Sequence, residues 1–183
     1  MILNLISFIL DTVLPHDPVR RLRALGLWVA GFSIFALGFA YTAQYGFGLQ
    51  PCILCLYQRW PYRLVIFLGL LAALLTTSAK GVDISKILLW TCAALFIVDA
   101  SIALFQVGVE EHWWRGTEKC VGTALDGLNA ADMLAQIKAA PLVRCDDVQF
   151  RFLGLTMAAY NGLFALGLAA GTALSLVLRP RRR

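Results

Sequence analysis

The sequence predicts an all-α integral membrane fold, a bundle of four transmembrane helices, on three observations. Of the 183 residues, 60% are apolar, against roughly 45–50% in soluble domains, and the mean hydropathy is +0.73. Four stretches, residues 25–45, 56–77, 87–109 and 152–178, approach the ~20 residues needed to cross ~30 Å of hydrocarbon. In lipid, backbone groups left without partners are so costly that helices are the economical way across.

The elements are taken in chain order. Met1 to Leu10 is apolar but lacks a basic start and runs into Asp11, Pro15 and Pro18, so it is expected to be a short interfacial helix rather than a cleaved signal. The first span, Leu25 to Tyr45, leads to a loop over residues 46–55, and the second runs from Leu56 to Thr77. The third, Ile87 to Val109, opens into a long loop over residues 110–151, and the fourth covers Phe152 to Leu178. Within the long loop, Asn129 to Ala140 has an N-cap residue, Met133, Leu134 and Ile137 at helical spacing, and a stop at Pro141. That pattern is a short amphipathic helix, suited either to lying on the membrane surface and swinging the loop or to covering the bundle. Trp113, Trp114, Trp60 and Tyr62 fall near expected helix ends, where amphipathic rings favour the interface. Residues 1–183 are expected to form a single membrane domain.

Excess Lys and Arg remain on the cytoplasmic side of a membrane. With the amino terminus inside, that side holds Arg20, Arg21, Arg23, Lys80, Lys86, Arg179, Arg181, Arg182 and Arg183. The opposite side holds Arg59, Arg63, Arg115, Lys119, Lys138, Arg144 and Arg151, balanced by Glu110, Glu111, Glu118, Asp126, Asp132, Asp146 and Asp147. Basic clusters against the first and last helices therefore place both termini in the cytoplasm. The net charge of +5 reports topology and calls for no nucleic acid.

Four of the five cysteines then lie outside the cytosol: Cys52 and Cys55 at the start of the second helix, Cys120 and Cys145 in the long loop. Disulfides persist in such oxidising compartments, and an even number suggests two dithiol/disulfide pairs, although four cysteines allow three connectivities. Cys92, in the third helix, reads as a small apolar packing residue. A C-x-x-C ring is too small to constrain much of the unfolded chain, so a purely structural staple is a weak explanation of it. Zinc is weaker still, because structural zinc sites usually use two short-spaced pairs.

Redox exchange fits the neighbours of Cys52 and Cys55. Cys55 and Arg59 are i and i+4, on one helix face if the helix has begun; a fixed cation there favours the reactive thiolate, as does the positive end of the helix dipole. Arg59 reads equally well as a snorkelling interfacial residue, as Arg63 does. Asp99, in mid-span, is expected to face the bundle interior, either relaying protons or hydrogen bonding as an acid with Ser101.

Three local patterns resemble the disulfide bond formation protein B (DsbB) family, the inner-membrane oxidases of bacterial envelopes. Pro51-Cys-Ile-Leu-Cys-Leu-Tyr-Gln-Arg59 is similar to the family's P-C-x-L-C-x-x-x-R. Gly108-Val-Glu110 through Trp113-Trp114 to Cys120 resembles the entry to its second external loop, and Cys145-Asp-Asp followed by Phe152-Leu-Gly-Leu-Thr-Met157 its return into the last helix. The resemblance covers about Arg20 to Arg179. Cysteine order separates the chain from the vitamin K epoxide reductase group, in which the C-x-x-C comes late.

The resemblance implies a thiol:quinone oxidoreductase. A DsbA-like periplasmic partner attacks Cys120 of a Cys120–Cys145 bridge, Cys145 then attacks Cys52, and Cys55 is released beside a bound quinone, ubiquinone or menaquinone, whose oxygen Arg59 polarises. Cys52, Cys55, Cys120 and Cys145 are thus the expected catalytic residues, and Arg59 with Cys55 the expected quinone contacts. His112 has no secure counterpart in the family. Rival readings are a disulfide-stapled structural membrane protein without redox turnover, and a redox protein that runs from quinol outward or resembles the epoxide reductases.

Overall fold

The computed structural model describes Pro15, residues 17–117, Cys120 and residues 143–178. The expected helices at Met1 to Leu10 and Asn129 to Ala140, and the terminal arginines 179 and 181–183, lie outside these residues.

Four helices account for most of the described residues: α1 (Pro18–Gly46), α2 (Ile53–Leu75), α3 (Ala79–Glu110) and α4 (Met157–Val177). Each begins where a side chain accepts from the first free backbone N–H groups. Asp17 accepts from Val19 and Arg20, with Pro18 at the first helical position; Ser78 accepts from Gly81, and Thr156 from Ala159. At α2 the cap is Cys52, whose sulfur accepts from the Cys55 N–H at 3.4 Å.

Facing residues show that consecutive helices run antiparallel. Arg59 meets Gln44, and Arg63 meets Tyr41, between α1 and α2. Gln58 meets Gln106 and Tyr62 packs on Phe96 between α2 and α3, while Asn161 meets Asp99 between α3 and α4. The carboxyl ends of α1 and α3 and the amino ends of α2 and α4 therefore gather at one end of the bundle. α1 packs along α2, α2 along α3 and α3 along α4, whereas α1 and α4 touch little.

Near the other end, α1 and α2 approach backbone to backbone. A Cβ added at Gly26 would lie 2.5 Å from the carbonyl oxygen of Gly69, so only glycine permits the crossing. The core includes Val29, Tyr62, Val65, Leu89, Cys92 and Phe96; Cys92 is fully buried there, as a packing residue should be. Phe35, Phe39, Leu74, Ile87, Leu104 and Leu163 lie exposed on the outside, the apolar wall that lipid requires.

The helices depart from the expected spans in informative ways. α1 starts at Pro18 rather than Leu25 because Asp17 and Pro18 form a strong N-terminus. α4 starts at Met157, not Phe152, because residues 151–156 form a hairpin, β1 (Arg151–Phe152) antiparallel to β2 (Leu155–Thr156). Its two-residue turn holds Leu153 at φ 49° and Gly154 at φ 81°, the left-handed pair that matches strand twist.

By length and composition, α1, residues 80–110 of α3, and α4 are able to cross a membrane. α2, which carries Gln58, Arg59 and Arg63 in its first half, is not one of these three. Pro61 is inside α2, a position that transmembrane helices tolerate.

Candidate active site

The gathered end of the bundle builds the site. Proline at 51 leaves the preceding chain extended, and Cys52 caps α2, so the cysteine pair sits on the positive end of the helix by local sequence alone. The Cys52 and Cys55 sulfurs lie 3.0 Å apart. The hydrogen bond shared with Cys55, together with burial, pushes the Cys52 thiol above the ordinary thiol range. Cys52 thus keeps its proton, and negative charge on the pair belongs on Cys55.

Cys120 and Cys145 form a disulfide, and the Cys145 N–H donates to the Cys120 carbonyl at 3.1 Å. Both are buried, at 0% and 2% exposure. Cys52, Cys120 and Cys145 share one apolar cluster with Leu54 and Val109, against which Cys55 packs. The two pairs, far apart in sequence, are neighbours.

A second tie holds the loops together. Gln149 accepts from the Gln50 N–H at 3.0 Å and donates to the Gln50 carbonyl at 2.8 Å, pairing the second loop to the chain two residues before Cys52. Arg144, beside Cys145, makes a double hydrogen bond to Asp146 at 2.9 and 2.7 Å. That guanidinium holds the Asp146 carboxyl below the usual carboxylate range.

Beside the cysteines opens a cavity of about 620 Å³ between α1 and α4, where the helices barely touch. Phe35, Phe39 and Phe164 give it apolar walls; Cys52, Cys55, Arg59 and Cys145 reach its lining. Arg59 is buried, donates to Gln44 Oε1 at 2.7 Å, and lies over the Tyr41 ring with its central carbon 4.8 Å from the centroid. Its guanidinium is turned to α1, across the cavity wall. Arg63 instead donates to the Tyr41 hydroxyl at 2.7 Å and covers Trp60.

Below the cysteines runs a buried polar chain that the sequence did not disclose. Gln106 Nε2 donates to Cys55 Sγ at 3.3 Å and to Glu110 Oε1 at 2.8 Å, and Gln106 Oε1 accepts from Gln58 at 2.8 Å. Asn161 donates to Gln58 and to Asp99, both at 2.9 Å, and accepts from the Tyr62 hydroxyl at 2.8 Å.

Three expectations are corrected by this geometry. Tyr62 is not an interfacial ring but a core residue at 3% exposure, because its hydroxyl has a buried partner. Asp99 does face the interior, yet its partner is Asn161; Ser101 bonds its own helix at the Ile97 carbonyl. Glu110 is no loop residue balancing exterior charge: it ends α3, 7% exposed, bonded to Gln106. The i, i+4 spacing of Gln106 and Glu110 was the one available signal.

The family model for disulfide bond formation protein DsbB matches residues 22–175. The chain is 35% identical over 159 residues to the disulfide bond formation protein B of Chromobacterium violaceum, covering 85% of this chain and 93% of that one. It is similar to the protein of the same description from an Azoarcus species, 29% identical over 170 residues, covering 90% and 97%. An uncharacterized protein of Rickettsia prowazekii is 25% identical over 155 residues, covering 84% and 87%. No solved structure matches.

Proposed function

The chain belongs to the disulfide bond formation protein DsbB family, and from that premise we propose that it is a thiol:quinone oxidoreductase re-oxidising a DsbA-like periplasmic dithiol protein. It is a disulfide bond formation membrane protein; the finer reading makes it a single bacterial inner-membrane domain. Four spans, with α2 as the second, put both termini in the cytoplasm and all four site cysteines in the periplasm. The observation that carries the proposal is the meeting of the Cys120–Cys145 disulfide with the Cys52–Cys55 pair in one apolar cluster at the edge of one cavity.

In this reading the partner's thiolate attacks Cys120, forming a mixed disulfide and freeing Cys145. Both cysteines are buried, so Cys120 must become accessible for that attack. Cys145 then attacks Cys52 of the oxidised pair and releases Cys55 as a thiolate, which the Gln106 amide at 3.3 Å is placed to receive. The partner's second thiol then displaces Cys120 and the partner leaves oxidised; the freed Cys120 attacks Cys145, restoring the Cys120–Cys145 bridge and releasing Cys52, so that two electrons have entered the C-x-x-C pair.

The cavity fits a quinone. Its walls are largely aromatic and apolar, it lies between α1 and α4, and buried Arg59 supplies a cation at its wall. A bound quinone supplies the two-electron, two-proton acceptor that draws the relay forward. Arg59 and Gln44 would hold one of its oxygens, with Phe35, Phe39 and Phe164 beside the ring or tail. The acceptor in this reading is ubiquinone or menaquinone.

The test supplies purified protein with quinone and a reduced DsbA-like protein, and follows quinone absorbance and partner thiols together. Coupled loss of both, abolished by Cys52→Ser, is expected. Folded protein that fails to couple them refutes the proposal and leaves a disulfide-stapled membrane protein.

A further inference from the structure

Closing a dithiol sends two electrons to the acceptor and two protons elsewhere, and of the two carboxyl groups that line the cavity, exposed Asp147 and buried Glu110, it is Glu110 that is tied to the cysteine pair. Glu110 lines the cavity along with Cys55 and Gln106. One oxygen, Oε1, accepts from Gln106 Nε2, the same nitrogen that donates to Cys55 Sγ. The other, Oε2, is buried and has no hydrogen-bond partner among the described residues. A buried acceptor without a donor is costly, and it is retained where it serves chemistry.

The charged and titratable groups around Glu110 come from three elements. Cys55 faces it from α2; Arg151 lies on the hairpin; and Glu111 follows it in sequence. Arg151 is engaged by Glu111 at 2.6 Å and acts on Glu110 only through its field, so among the described residues no cation is paired with the Glu110 carboxylate. Thr156, whose hydroxyl caps α4, flanks it from the hairpin side.

We propose that Glu110 is the proton-transfer group of the Cys52–Cys55 pair, taking a thiol proton as the disulfide closes and handing it to the reduced quinone in the same cavity. This rests on the quinone reading above. The step balances: the two thiols lose two electrons and two protons and form one S–S bond, while the quinone gains both electrons and both protons. Glu110 gains one proton and returns it in each turnover, directly or through one water, and ends unchanged. The second thiol proton leaves to solvent at the loop end, and the quinone takes its second proton from there.

Glu110→Gln keeps the Oε1 acceptor for Gln106 and removes only the titrating oxygen. Two measurements judge it. In reduced, quinone-free protein, the rate of Cys55 alkylation is followed against pH; loss of the neighbouring negative charge should move its midpoint to lower pH by at least about half a unit. In the coupled assay, kcat should fall on the order of 10²-fold, the quinone KM should change less than about twofold, and the acid limb of the kcat profile should flatten, since that limb is the protonation of the carboxylate. Glu110→Asp, which keeps the charge, should restore part of kcat and the limb.

An unmoved alkylation midpoint overturns the inference, as does a shifted midpoint with unchanged turnover. A uniform loss of rate with the wild-type pH profile and no recovery in Glu110→Asp also overturns it, because a structural role acts that way. If the wild-type protein fails to reduce quinone at all, the functional reading falls, and the alkylation midpoint alone then decides whether Glu110 serves the dithiol.

Discussion

Asn161 is the junction of the buried polar chain, and replacing it with leucine tests whether that chain holds the bundle together. The substitution keeps the size of the side chain and removes three hydrogen bonds, to Tyr62, Gln58 and Asp99. Hydrogen bonds between transmembrane helices average about 0.6 kcal/mol and reach about 1.7, so their loss alone removes roughly 2 kcal/mol. The groups left behind add to this. Asp99 already has one buried oxygen without a partner among the described residues, and the change removes the amide that donates to its second; each group left without a donor costs about 1–3 kcal/mol. The expected destabilisation is about 2–5 kcal/mol. It is measured by titrating folded protein in mixed micelles with a denaturing detergent and following tryptophan fluorescence. Asp99→Leu placed in the Asn161→Leu background should recover about half of the loss, because removing both partners avoids the orphaned carboxyl. Ser101→Ala, whose hydroxyl bonds only its own helix, should stay within about 0.5 kcal/mol of the parent. An Asn161→Leu protein equally within about 0.5 kcal/mol refutes the idea that the chain is structural glue.

Cys145→Ala should accumulate a mixed disulfide between the partner and Cys120, seen as a crosslinked band on non-reducing gels; accumulation through Cys52 reverses the proposed order of transfer. Arg59→Gln should raise the quinone KM about tenfold, the equivalent of about 1.4 kcal/mol, while single-turnover oxidation of the partner by the Cys120–Cys145 bridge keeps its rate; an unchanged KM removes Arg59 from the quinone site. Gly26→Ala forces α1 off the Gly69 carbonyl and should cost about 1–3 kcal/mol in the same detergent titration. Gly38→Ala meets nothing within 4 Å and should be neutral or stabilising by up to about 1 kcal/mol; equal behaviour of the two variants contradicts the close crossing.

The features legible in the sequence are those that one dimension encodes. Long apolar runs predict helices in any order of packing, but α2 starts at Ile53, inside the loop expected over residues 46–55, because Cys52 caps it; that earlier start is what puts the C-x-x-C on the positive end of the helix. The fourth helix begins later than its apolar run suggests because Phe152 and Leu155 read as apolar turns of a helix. Gly154, which reverses the chain, and Thr156, which caps α4, are the contrary signals. Tyr62 is hard to place for a related reason: an amphipathic ring near a helix end is ambiguous until a partner is known. Asn161, far along the chain, is that partner.

The chemistry divides the same way. Electron transfer depends on sulfur, and cysteines are rare enough that four of them, two at short spacing, announce themselves. Proton transfer and cofactor binding depend on carboxyl, amide and guanidinium groups that are common on any surface, and only burial against the right neighbours gives Glu110, Gln106 and Arg59 a role. Glu110 looks like one of several loop acids while α3 is expected to end at Val109; one more residue of helix carries it inside, onto the Gln106 amide that also holds Cys55. A one-residue difference in a helix boundary thus separates a surface charge from a proton-handling group. The Glu110→Gln comparison therefore tests the assignment for which the sequence offered least and the fold offered most.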